Sequence, residues 1–139
     1  MLILASASTA RRTLLEKAGI AHKVMVSNVD ESSFEDQNIE KLVQNIAIAK
    51  AKSVESLVVK KNPQDVISNK VSSILGCDSL LEFDGEIYGK PSSNQEAIDR
   101  WEKMSSKTGL MHTGHCLLFR KELFSKKIEL KFNGIVYKV

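Results

Sequence analysis

Cysteine, proline and aromatic residues are scarce in this chain. Of its 139 residues two are cysteine, two are proline and one is tryptophan, and aromatic residues make up 6%. Cys77 and Cys116 lie 39 positions apart with no Cys-x-x-Cys spacing. That pattern argues against a disulfide framework or a cysteine-based zinc site. Cys77 stands inside an apolar run and reads as a small core residue rather than a nucleophile. Seven glycines and two prolines are too few for a fibrous or disordered chain. No apolar run approaches the ~20 residues that span a bilayer, so no membrane association is expected. The opening stretch from Met1 to Ser6 is too short for a secretory h-region and lacks a basic n-region, so the expected location is the cytoplasm.

What is present is an ordinary globular balance, 42% hydrophobic and 27% charged residues, in a length that suits one domain spanning 1–139. The net charge of +3 is unevenly spread: residues 120–139 carry +4 and residues 1–119 carry −1. A nucleic-acid binder spreads a basic patch over its main surface and interleaves aromatic side chains for stacking. Here the excess reads as a solvated strand face near one end, and nucleic acid is not an expected partner.

The hydrophobic pattern alternates strands with helices, which predicts an α/β chain with a mixed sheet. Leu2-Ile3-Leu4-Ala5 reads as a short buried strand, with Ser6, Ser8 or Thr9 capping a helix carried by Leu14, Leu15 and Ala18 and ended by Gly19. Lys23 to Ser27 is a second strand candidate. From about Ile39 to Val59, Val43, Ile46, Ala47, Val54, Leu57 and Val58 form one helical stripe, closed by Asn62-Pro63. Val71 to Cys77 predicts a strand that delivers Asp78 at its C-terminal end. Asp84-Gly85 is a two-residue hairpin signal, and Asn133-Gly134 is another. Asn94 begins a helix with Ala97, Ile98, Trp101 and Met104 on its apolar side.

Four clusters have side chains suited to chemistry. Ser6-Ala7-Ser8-Thr9-Ala10-Arg11-Arg12, between a strand and a helix start, offers backbone N–H groups, hydroxyls and a guanidinium that together can cradle a phosphate, or act merely as caps. Asp30-Glu31 is a pair of carboxylates after a strand, the usual composition of a solvated turn. Lys50 falls inside the apolar stripe, four after Ile46 and four before Val54, so its ammonium either snorkels to the rim or enters a cleft. Asp78 and Ser79 with Gly89-Lys90-Pro91 combine a carboxylate at a strand's carboxyl end, where α/β sheets bind ligands, with a cation for phosphates; a turn aspartate and a surface lysine are the plainer alternative. His112 and His115 do not suit zinc, because their odd spacing sends them to opposite faces of a strand.

Taken in order, LILASAS, TARR, TLLEKAGI, VSNVDES, IAKAKSV, ILGCDSLLEFDGEIYGKP and the helix before SSKTGLMHTGHCLL are similar to the Maf family of nucleoside triphosphate pyrophosphatases, almost continuously over residues 2–119. The resemblance implies an elongated mixed β-sheet flanked by helices, Maf/ITPase-like, with a cleft between two lobes. It implies hydrolysis of a nucleoside triphosphate to the monophosphate and pyrophosphate with a divalent metal cation, Mg²⁺ or Mn²⁺, as nucleotide-pool housekeeping. Asp78 falls on the catalytic carboxylate and, with Glu31, on the metal side. Ser6, Ser8, Arg11, Lys50 and Lys90 fall on substrate-binding positions that face the triphosphate. Ala10 and Ser79 fall on positions that differ between subgroups of different base preference, and Thr9 stands where the family turn commonly has proline. The C-terminal third of the family pattern has no counterpart here, so the expectation is an incomplete single domain. The alternative is a non-catalytic remnant that binds nucleotide or a cell-division partner. A homodimer is left open.

Overall fold

Leu2–Ala5 forms strand β1, buried beyond its first residue, and it pairs in parallel with β2 (His22–Val24) on one side and β3 (Ser73–Phe83) on the other. The computed structural model that gives this arrangement describes residues 1–61, 64 and 70–119, and the backbone of 128–138. Antiparallel strands complete the sheet: β4 (Glu86–Tyr88) and β5 (Leu110–Phe119) pair with β3, and β6 (Ile128–Lys138) pairs with β5. The strand order is β2-β1-β3-β5-β6, with β4 joined to β3 off that path. Helices α1 (Thr9–Lys17), α2 (Ile39–Lys61) and α3 (Asn94–Met104) accompany the sheet, giving the expected mixed α/β class. Among the described residues no helix is long and apolar enough to cross a membrane.

The two edges of β3 are paired differently. Strand β5 follows one edge from Ser73 to Glu82. Along the other, β1 covers Ser73 to Gly76 and β4 covers Leu81 to Phe83. Residues 77–80 lie between them, with neither strand beside them. This gap corrects the expectation that β3 ends at Cys77: the strand runs on through Asp78, and what ends there is its pairing with β1. Likewise β2 stops at Val24, because β1 ends at Ala5; Met25 N–H still donates to Leu4 O at 3.0 Å.

The Asp84-Gly85 hairpin forms as expected, both residues having the positive φ (54° and 75°) that a tight turn of primed type requires. Asn133-Gly134 makes no hairpin. Strand β6 passes through it, and the register with β5 skips one residue between Thr113/Ile135 and His115/Phe132, which is a β-bulge. Asn62-Pro63 and the side chains that give residues 120–139 their charge lie outside the described residues.

Helix α2 carries the core. Its Leu42, Val43 and Ile46 are buried, and Ala47, Ala51, Val54 and Val58 cluster with Ile3, Ala5, Ile74, Cys116 and Leu118 of the sheet. Its approach is unusually close at two glycines. A Cβ at Gly76 would stand 2.2 Å from Ala47 O, and one at Gly114 would stand 2.5 Å from Val43 O. Backbone atoms cannot yield to that, so helix and sheet meet through Gly76, Gly114, Ala47 and Ala51. Helices α1 and α3 bury no residue. The expected apolar side of α3 is divided: Ala97 and Met104 line a cleft, whereas Ile98 is 51% and Trp101 76% exposed.

Gly76→Ala is expected to lower stability by at least the ~1–3 kcal/mol typical of overpacking. Gly89, with nothing within 4 Å of a Cβ, serves as control, its alanine variant staying within about 0.5 kcal/mol of the parent. Urea denaturation measures both, and equal effects would contradict the close-contact account.

Candidate functional site

The gap beside residues 77–80 opens into a cleft of about 630 Å³, within the roughly 300–1,000 Å³ common for small-ligand sites. Ser6, Ser8, Ala10, Arg11, Glu31, Lys50, Asp78, Ser79 and Lys90, every site residue named from the sequence, line this one cleft.

At its centre is a cation between two carboxylates. Lys50 is buried on α2 and its Nζ donates to Asp78 Oδ1 at 2.6 Å and lies 2.7 Å from Glu31 Oε1. The lysine of the apolar stripe therefore enters the cleft rather than snorkelling. Helix α2 carries it over Asp78 because Gly76 and Gly114 flank Asp78 in the sheet, one two residues along β3 and the other its partner on β5. Glu31 reaches the pair from a 3₁₀ turn, Glu31–Ser33, capped by the Asp30 carboxylate accepting from Ser32 N–H at 3.0 Å. Asp30 thus shapes the turn and Glu31 faces the ammonium. Burial raises the Asp78 carboxyl above its ordinary range, outweighing the hydrogen bond and charge of Lys50 that pull it down. Asp78 Oδ2 is buried without a hydrogen-bond partner.

Those oxygens suit a hard divalent cation. Mg²⁺ typically takes one or two carboxylates and completes its shell with water and substrate phosphates, and Mn²⁺ also favours oxygen donors. Glu31 and Asp78 supply two carboxylates within reach of one point, the position now facing the Lys50 ammonium. Among the described residues no group of three or more His, Cys, Asp or Glu could hold a metal by itself, so the donor set fits an ion that shares its coordination with substrate.

The second assembly is the turn entering α1. Ser8 is its N-cap, with Oγ accepting from Arg11 N–H at 3.4 Å, and Ser6 Oγ accepts from Ser8 N–H at 3.3 Å. The Arg11 guanidinium reaches across the gap: Nη1 donates to Ser6 Oγ at 3.1 Å and to Cys77 O at 3.2 Å, and Nη2 donates to Ser79 Oγ at 2.8 Å. Arg11 thereby binds β3 at the edge where β1 has ended. Ser79 Oγ is in turn 2.9 Å from Thr113 Oγ1, so the guanidinium is fixed from two strands. Cys77 is buried and burial pushes its thiol upward, which suits a core residue.

Across the cleft, Lys90 is exposed on the strap after β4. Arg100 stands beside it on α3, Nη1 donating to Gly89 O at 2.7 Å, with Glu96 holding Nη2 and the guanidinium 5.0 Å from the Tyr88 ring centre. Neither Arg100, Tyr88 nor Thr113 was named from the sequence. The Glu96–Arg100 spacing of one helical turn was a visible signal; Thr113 had none apart from its place in β5. His112 and His115 do lie on opposite faces: His112 Nε2 is 2.8 Å from Glu82 Oε2, whereas half-buried His115 is shifted downward by burial and the Arg11 charge.

The raised Asp78 pKa has a consequence for stability. A group that holds its proton more tightly when folded contributes stability that is complete below the unfolded value near 3.8 and is lost as pH rises through the folded one. Without divalent cations, Asp78→Asn should therefore gain in stability relative to the parent as pH climbs through that window. Urea titrations of both proteins at stepped pH read this directly, and a constant difference would refute it.

The Maf-like protein family model matches residues 1–136. A protein of Prochlorococcus marinus named nucleoside triphosphate pyrophosphatase is 53% identical over 136 residues, 98% of this chain and 64% of that protein. One of the same name from Parasynechococcus marenigrum is 51% identical over 120 residues, 86% of this chain and 58% of its own. The chain thus spans about three fifths of the length of these curated relatives. Among solved structures, that of the Staphylococcus aureus Ham1 protein aligns with a TM-score of 0.46 at 14% identity, over 92% of this chain and 67% of that one. A match running nearly end to end, joined to relatives that share half its residues, makes this chain a member of the Maf family.

Proposed function

We propose that the cleft hydrolyses a nucleoside triphosphate to the monophosphate and pyrophosphate with Mg²⁺ or Mn²⁺, in cytoplasmic nucleotide-pool housekeeping by a single Maf-like domain. The carrying observation is the Glu31–Lys50–Asp78 assembly inside a cleft whose other walls bring Arg11, Lys90 and a helix N-terminus. The family and the names of the relatives support the same reading.

A triphosphate is a dense polyanion, and its transition state spreads charge over the phosphoryl oxygens. Lys50 and Lys90 supply positive charge, the Ser6–Ser8 turn supplies N–H and hydroxyl donors, and Arg11 holds that turn against β3 while turning its charge to the cleft. Glu31 and Asp78 would hold the divalent cation, which when bound neutralises phosphate oxygens and makes water more acidic. Water adds to the α-phosphorus, the bond to the α–β bridging oxygen breaks, and pyrophosphate leaves. Asp78 is the residue to take the water's proton: it lines the cleft, and buried carboxylates hold a proton more readily. Lys50 orients Asp78 through Oδ1, and its hydrogen bond and charge favour the ionised carboxylate against the burial that raises it.

Purified protein, given each nucleoside triphosphate with Mg²⁺ or Mn²⁺, should release pyrophosphate, and Asp78→Asn should slow release by about 10²–10⁴-fold, the usual worth of a positioned acid or base. Lys50→Met should lose activity comparably. If no triphosphate is cleaved faster than by the Asp78→Asn protein, the hydrolase reading is wrong for this chain.

A further inference from the structure

Of the cations that line the cleft, Lys50 is buried and Arg11 and Arg100 are half-buried, whereas Lys90 is exposed on residues 89–93, which join β4 to α3. A lysine ammonium ends a flexible four-carbon stem, and a loose backbone beneath it adds to the entropy lost when it grips a ligand. Pro91 removes part of that freedom, because the residue before a proline is held extended. Helix α3 removes more. Arg100 Nη1 donates to Gly89 O at 2.7 Å, on the residue just before Lys90. One helical turn earlier, Glu96 Oε2 accepts from Ser92 N–H at 2.6 Å and from the Ser92 hydroxyl, two residues after Lys90. Glu96 Oε1 and Arg100 Nη2 pair with each other, and Ser93 Oγ caps the helix by accepting from Glu96 N–H at 3.1 Å. One ion pair at i,i+4 spacing thus holds the chain on both sides of Lys90, and its contacts leave the ammonium to the cleft.

We propose that Glu96 and Arg100 are positioning residues, a brace that sets Lys90 for the triphosphate by holding Gly89 and Ser92. The assignment rests on the nucleotide reading above and adds two residues to it that touch no substrate. Arg100 is committed to the fold: Nη1 and Nη2 both have acceptors, and the guanidinium lies 5.0 Å from the ring centre of Tyr88, the last residue of β4. Its planar fork reaches a carbonyl and a carboxylate together, which the single charge of a lysine does not. Bonds from the Ser92 hydroxyl and N–H, with the Arg100 guanidinium, bring the Glu96 carboxyl down to about 2, so the brace stays charged at every pH near neutrality. Exposed ion pairs add little to stability. The worth of this one is geometric: the strap is ordered when the protein folds, and less order remains to be lost when the polyanion binds.

The test is a double-mutant cycle on pyrophosphate release: parent, Lys90→Met, Arg100→Gln and the double variant, with Arg100→Lys and Glu96→Ala beside them. Helix α3 buries no residue, so these changes keep the fold, and thermal melts followed by circular dichroism check each protein. Lys90→Met should lower kcat/KM about 10–100-fold, the usual worth of a charged contact, and Arg100→Gln about fivefold, divided between kcat and KM in the same proportion. In the Lys90→Met background Arg100→Gln should change nothing beyond about twofold, because its effect passes through Lys90. Arg100→Lys keeps the charge without the fork and should match Arg100→Gln, and Glu96→Ala should repeat the pattern from the Ser92 side. Effects that multiply in the double variant would make Arg100 a direct substrate ligand and overturn the brace. Full activity in Arg100→Lys, or losses that only track a fall in melting temperature, would overturn it too. An active parent that Lys90→Met leaves unchanged overturns the brace while sparing the hydrolase reading. A parent that releases no pyrophosphate defeats that reading itself, and the brace with it.

Discussion

Everything in the cleft depends on how closely one helix lies on one sheet. Gly76 and Gly114 present bare backbone to α2, which answers with Ala47 and Ala51, and the helix settles where any larger residue would collide with a carbonyl. Interiors are packed nearly as densely as organic crystals, so such a contact leaves no slack for sliding or rotation. Lys50 lies one helical turn from both Ile46 and Val54, and the same contact sets its height above β3. An ammonium 2.6 Å from a buried carboxylate needs that height to be correct within tenths of an ångström.

Lys50 also resolves an electrostatic problem. Two carboxylates facing one hollow repel each other, and Asp78, the buried one, resists losing water, so removing its cation would leave an uncompensated charge. The ammonium touches both, yet burial still dominates at Asp78 and holds its carboxyl above the usual range. The assembly is thus stable enough to form and unsatisfied enough to bind. Oδ2 is where that remaining demand is concentrated.

Much of this was legible in the linear chain, for definite reasons. The period of a helix put Lys50 among apolar neighbours, and that alone singled it out. Ser8 before a helix and Asp84-Gly85 between short apolar runs act through local backbone chemistry, which does not need the rest of the molecule. The misses are where one local signal serves two purposes. Asn133-Gly134 fits a tight turn or a bulge, and the register with β5 decides which. The apolar pattern of α3 fixed a face without revealing that Trp101 would be left in solvent. The apolar run of β3 ends at Cys77, whereas pairing with β5 and the hairpin to β4 carry the strand past Asp78. Thr113 belongs to a cross-strand pair, and nothing in its immediate neighbours marks it.

The interrupted edge of β3 has one more consequence. An exposed strand edge invites extension by another molecule's strand, the first step toward aggregation. Here the opening is a short notch closed at each end by β1 and β4, and the carbonyl of Cys77 within it already accepts from Arg11. A foreign strand finds too few consecutive partners to dock, whereas a small anion can enter. The chain so leaves a stretch of strand edge beside the cleft without offering a template for fibre growth.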